Sequence, residues 1–163
     1  MNARYEGHSV RRTWIQSGLL LLAATTLNGS LWALPFPRSF YEDFPLSGRD
    51  WVSTLGPYDE HLVRDYGALN LALGVLLVAA AVYLERRLAQ VALVTWLVFE
   101  VPHFVFHLGQ THHFSVGSNL AQLGGLALLI VLPLVLLLLL PQRAAGRDPG
   151  RTDVNRTERI ETR

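Results

Sequence analysis

Four long runs of apolar residues divide this chain, and polar or charged residues separate them. The runs cover residues 14–34, 67–84, 88–108 and 119–140. An α-helix needs about 20 mostly apolar residues to cross a hydrocarbon core of about 30 Å, and each run is close to that length. The pattern therefore predicts an all-α protein, an integral membrane four-helix bundle formed by residues 1–141.

The connections between these runs differ in kind. Residues 85–88 leave room only for a tight turn, so the second and third helices should form an antiparallel hairpin. Residues 35–66 are rich in aromatic residues, which disordered segments lack, and we predict a folded cap there. An interfacial aromatic belt without a binding role is equally compatible. Residues 142–163 are rich in Arg, Asp and Thr, and predict a disordered tail.

Arginine is distributed unequally around the four spans. It precedes the first span, occupies the turn at Arg86 and Arg87, and fills the tail, whereas the last connection, residues 109–117, carries no charge. Because basic residues stay on the cytoplasmic side, both termini are predicted to be cytoplasmic and the cap extracytoplasmic. A cleaved secretory signal is the alternative for the first span, but the run is long and no small-x-small site ends it.

Composition narrows the function classes. The chain has no Cys, which excludes disulfides, thiolate metal sites and cysteine catalysis. The 14 basic residues are all Arg, which suits a G+C-rich bacterial genome. For a bacterial protein, the four spans then predict a location in the plasma membrane. The net charge of +1 gives no reason to expect nucleic acid. The expected partners are the lipid bilayer and either further copies of the chain or another membrane protein.

Candidate chemistry is concentrated at the end of the third run. Glu100, His103 and His107 are spaced so that they share one helix face, and they lie about 20 to 30 Å from Arg87 along the helix axis. Ionisable residues are expensive inside hydrocarbon, so this face indicates a functional site. Pro102 lies within it and predicts a kink. His112 and His113 follow in the next loop.

Other polar residues are expected at the same outer level, which predicts a pocket that opens outward. The predicted supporting residues are Asn28, Asn70, Asn119 and Gln122 of the spans, with Asp59, His61 and Asp65 of the cap. Asp59 and Glu60 also predict that the second helix begins above the membrane.

Two imidazoles four residues apart can bind one metal ion, and Glu100 can be a third ligand or orient a histidine. Zn or Fe would suit these donors, with His112 and His113 completing the site from above. The predicted function is therefore binding of a metal ion or small ligand, as a binding protein or accessory subunit. The alternatives are a membrane redox enzyme that uses metal or haem, and a structural protein whose polar patch joins the helices. Haem is disfavoured because both embedded histidines share one helix.

Three segments carry a resemblance to known proteins. They are Pro37-Arg-Ser-Phe-Tyr-Glu-Asp-Phe-Pro45, Gly56-Pro-Tyr-Asp-Glu-His-Leu-Val-Arg-Asp-Tyr-Gly-Ala-Leu-Asn70 and Val101-Pro-His-Phe-Val-Phe-His107. Together they resemble a group of uncharacterised small four-span actinobacterial membrane proteins, loosely similar to the DoxX-like proteins. The resemblance implies a four-span fold, but it implies no substrate, cofactor or catalytic residue.

Overall fold

The computed structural model describes residues 3–141, with side chains from residue 10 onward. Five α-helices account for most of this part of the chain, which contains no strand. They are α1 (Ala3–Ala33), α2 (Pro37–Asp43), α3 (Glu60–Tyr83), α4 (Arg86–Gly109) and α5 (Val116–Leu139). The all-α prediction is thus confirmed for the described residues. The predicted tail, residues 142–163, lies outside them.

Among the described residues, α3, α4 and α5 are each long and apolar enough to cross a membrane. Each has 24 residues, a length of about 36 Å at about 1.5 Å per residue. Residues 10–33 of α1 meet the same criterion only together with α2, which is bent away from α1 by 116°. Large apolar side chains are widely exposed on these helices, as at Leu69, Leu120 and Leu138. The fold is compatible with a multi-pass membrane protein.

Local sequence explains where α3 begins and ends. Asp59 caps its first turn by accepting a hydrogen bond from the backbone N–H of Leu62 at 3.1 Å, which confirms the predicted start of this helix. At the other end, Leu84 adopts the left-handed conformation with φ 51°, and α4 begins two residues later. The predicted hairpin of α3 and α4 is therefore closed by Leu84 and Glu85 alone.

The cap on α3 gives a first testable prediction. Asp59→Ala should lower the free energy of unfolding by about 1 kcal/mol, because it leaves one of the first backbone donors of α3 without its acceptor. Asp65→Ala is the matched control, since Asp65 is exposed and its paired side chain, His61, is exposed too. Thermal unfolding in detergent measures both. Equal losses in the two variants would argue against a capping role for Asp59.

Glycine sets how closely the helices approach. α1 packs most extensively on α3, α4 packs on α5, and α5 returns to α1. A Cβ at Gly74 would lie 2.7 Å from Leu27 Cδ2, so this glycine allows α3 to approach α1 closely. At Gly124 and Gly125, by contrast, a Cβ would meet nothing within 4 Å. Both glycines lie on the exposed face of α5.

The connection after α1 is folded around aromatic side chains. Phe40 of α2 is buried, and its ring lies 4.8 Å from that of Phe44, 5.4 Å from that of Tyr66 and 5.9 Å from that of Trp32. Ala33 and Val63 complete this small core between α1, α2 and α3. It lies at the end of α1 where α3 begins, apart from the main apolar core that surrounds Leu22, Leu77 and Trp96.

Candidate functional site

Five polar side chains are buried at one level of the structure, and we call them the polar layer. Its members are Thr26 and Ser30 of α1, Asn70 of α3, Glu100 of α4 and Gln122 of α5. Counted from Arg12, Tyr83, Arg86 and Leu139, they lie roughly 20 to 27 Å along their helices. Every long helix thus contributes to the layer, which has the large apolar core on the side of the arginines.

Three members of the polar layer are satisfied within their own helices. Ser30 donates to the carbonyl of Thr26 at 2.7 Å, and Thr26 donates to that of Ala23 at 2.9 Å. Asn70 donates to the Tyr66 carbonyl at 3.0 Å. Such bonds remove the cost of burying a hydroxyl or amide without joining one helix to another. These residues need no ligand.

Glu100 is different, because its carboxyl group is buried without full pairing. The residue is 2% exposed, and its Oε1 has no hydrogen-bond partner among the described residues. The Tyr66 hydroxyl lies within electrostatic range of Glu100, and it also lies 3.4 Å from the position of a Cβ on Gly29. A buried polar group that lacks a partner costs about 1–3 kcal/mol, more when it is charged. Glu100 is therefore the most expensive side chain of the layer.

His103 and His107 form a half-buried stacked pair one turn apart on α4. Their ring centroids are 4.8 Å apart, with an interplanar angle of 17°. His107 Nδ1 lies 3.1 Å from Gln122 Oε1, a hydrogen bond that joins α4 to α5. The amide nitrogen of Gln122 is buried and has no partner among the described residues. The histidine pair therefore follows Glu100, with its unpaired acceptor, along α4, and its second ring contacts Gln122, which carries an unpaired donor.

The helix that carries these residues continues through Pro102. The kink predicted at Pro102 stays a prediction. Pro102 itself is exposed, and so are Val101, Val105 and Phe106 beside it. The histidine pair therefore lies between the apolar outer surface of α4 and the contact of α4 with α5.

The two loop histidines lie away from the polar layer. His112 and His113 form a short 3₁₀ turn, are exposed, and have ring centroids 4.0 Å apart. Asn119, in the first turn of α5, bonds to the same loop, because its Nδ2 donates to the carbonyls of Thr111 at 2.8 Å and Phe114 at 3.3 Å. It fixes the loop onto the start of α5 rather than pointing to Glu100.

The predicted supporting residues of α1 and the cap also lie outside the polar layer. Asn28 is exposed on α1, away from the buried polar side chains. Asp59 caps α3, and His61 Nδ1 pairs with Asp65 Oδ2 at 3.5 Å on the exposed surface of that helix. Of the seven predicted supporting residues, Asn70 and Gln122 are the two that lie in the polar layer.

The candidate metal ligands are arranged in pairs. His103 stacks on His107, His112 touches His113, and His61 meets Asp65. Within the part of the chain whose side chains are described, no group of three or more His, Asp or Glu could hold a metal ion. Protein metal sites for Zn use three or four such donors. Each described pair therefore supplies fewer donors than such a Zn site uses, and His103 and His107 both belong to α4.

Tyr66 is the site residue that the sequence analysis missed. It lies four residues before Asn70, on the same face of α3, so its spacing was a usable signal. Its ring packs on Phe40 in the small aromatic core, which is the role that the aromatic content of residues 35–66 predicts. Its hydroxyl also reaches the contact between α1 and α3 near Gly29.

The chain matches no protein-family model, and no curated protein or solved structure matches it either. The resemblance to small four-span actinobacterial membrane proteins therefore stays a prediction. The function has to be inferred from the residues of the site.

Proposed function

We propose that this chain is a multi-pass protein of the bacterial plasma membrane with four spans and both termini in the cytoplasm. Arg11 and Arg12 in the first half of α1, and Arg86 and Arg87 at the start of α4, support this orientation, since basic residues are retained on the cytoplasmic side. The cap around α2 then lies outside the cell. The polar layer falls in the outer part of the bundle, beneath that cap.

We further propose that the protein binds a small polar ligand at Glu100, His103, His107 and Gln122, as a binding protein or accessory subunit. The observation that supports this most strongly is the unpaired Oε1 of the buried Glu100. Interhelical hydrogen bonding explains His107 and the oxygen of Gln122, but it does not explain a carboxyl oxygen that has no partner among residues 10–141. Costly groups of this kind are typical of functional sites in membrane spans.

The unpaired atoms define the chemistry of the ligand. Glu100 Oε1 accepts a hydrogen bond, and Gln122 Nε2 donates one. Glu100 and His107 are two helical turns apart, about 10 Å along α4, and Gln122 bonds to His107. The matching ligand is a small molecule with a donor, such as an amine or hydroxyl, at one end and a carbonyl or carboxyl oxygen at the other.

A structural role is the second candidate function. The His107–Gln122 hydrogen bond joins α4 to α5, and Trp96 Nε1 donates to the Leu129 carbonyl of α5 at 2.8 Å. Polar contacts of this kind between spans contribute roughly 0.6 to 2 kcal/mol each. In this alternative, the polar layer holds the helices in register and binds nothing.

Native mass spectrometry of the full chain, released from mild detergent, tests the ligand proposal. We expect the wild type to carry a small-molecule adduct that is lost in Glu100→Gln and in His103→Phe. His112→Phe is the matched control and should keep the adduct, because His112 is exposed in the loop. A wild type without adduct, or equal loss in the control, would favour the structural alternative.

A further inference from the structure

A second polar site lies at the opposite end of the helices, around a cavity of about 340 Å³. Three arginines line it: Arg11 and Arg12 of α1, and Arg86 at the start of α4. Its apolar floor is formed by Ile15, Ala89 and Leu140, which are all buried. The cavity thus combines a cationic rim with an apolar floor, where the ends of α1, α3, α4 and α5 meet.

The positive charges of this rim are not neutralised by the described part of the chain. Within residues 10–141, none of the three arginines forms an ion pair with Asp or Glu. Arg86 Nε is buried and has no hydrogen-bond partner there. A buried guanidinium N–H that lacks an acceptor is costly, and a phosphate oxygen is the acceptor whose geometry and charge suit guanidinium best.

We infer that this cavity, which we call the arginine cavity, binds the phosphate of an anionic phospholipid headgroup. The apolar floor favours a lipid over a free anion, because the glycerol and first acyl carbons can lie on Ile15, Ala89 and Leu140 while the phosphate meets the arginines. Basic pockets between spanning helices on the cytoplasmic side are suited to such headgroups. This site is independent of Glu100 and of the function proposed for the polar layer.

Lipid titration of the full-length protein in neutral detergent, followed by native mass spectrometry, tests the inference. We expect phosphatidylglycerol to bind more tightly than phosphatidylcholine, and Arg86→Gln to weaken phosphatidylglycerol binding roughly five-fold. Arg87→Gln is the matched control, since Arg87 is the exposed neighbour of Arg86 and does not line the cavity. Arg11→Gln is a second test on another helix, should Arg86→Gln fail to fold.

A parallel titration with inorganic phosphate identifies the source of the anion. Weak phosphate binding that Arg86→Gln abolishes supports the same phosphate site, with the apolar floor accounting for the stronger lipid. Equal weakening in Arg86→Gln and Arg87→Gln would overturn the inference, because it would mean attraction by overall charge. Equal binding of the two lipids, or no binding of either lipid or phosphate, would overturn it as well.

Discussion

Gly67→Val should lower the free energy of unfolding by about 2 to 3 kcal/mol, as expected when a well-packed contact is overfilled. A Cβ at Gly67 would lie 2.9 Å from Leu34 Cγ and 3.2 Å from both Ala33 Cβ and the Leu34 backbone nitrogen. Ala33 is fully buried as the last residue of α1, and the Leu34 N–H donates to the Ser30 carbonyl at 3.0 Å, so neither can yield without disturbing the last turn of α1. The measurement is unfolding by SDS titration from detergent.

The matched control for this substitution is Gly124→Val on α5. It makes the same chemical change in a helix of the same class, but at an exposed position where a Cβ meets nothing within 4 Å. We expect it to change the free energy of unfolding by less than about 0.5 kcal/mol. Similar losses in both variants would show that the close contact of α1 with α3 is not what makes Gly67 necessary.

The contrast between these glycines shows which part of the fold could be predicted from the sequence and which part could not. The four long helices, the hairpin and the start of α3 follow from local signals such as apolar run length, a short charged connection and an acidic cap, whereas the short helix α2 was not predicted. Which face of α5 meets α1 is a tertiary property. Gly124 and Gly125 have the same sequence character as Gly74, yet they face outward while Gly74 faces Leu27.

The same distinction applies to the candidate site. Spacing of three and four residues placed Glu100, His103 and His107 on one face, and that face does carry the buried carboxyl and the histidine pair. Depth counting put Asn28 at the right height, but height does not give rotation about the helix axis. Asn28 faces outward, whereas Ser30, two residues later, faces the core.

Glu100→Met should raise the free energy of unfolding by about 1 to 3 kcal/mol in the absence of ligand. Methionine keeps a side chain of similar length, fills the space with apolar atoms, and removes the carboxyl oxygen that has no partner. Residues kept at a cost in stability are typical of binding sites, where a bound ligand offsets that cost. SDS titration of wild type and variant, both purified without added ligand, measures the change.

For Gln122→Met, in the same polar layer, we expect the free energy of unfolding to change in the opposite direction. It breaks the 3.1 Å contact with His107 and leaves that ring nitrogen without its partner, so the free energy of unfolding should fall by about 1 kcal/mol. Opposite signs in the two variants separate a carboxyl oxygen that has no partner in the described chain from an amide whose oxygen bonds to His107. If Glu100→Met also destabilises the protein, the carboxyl group holds helices together, and the ligand proposal loses the observation on which it depends.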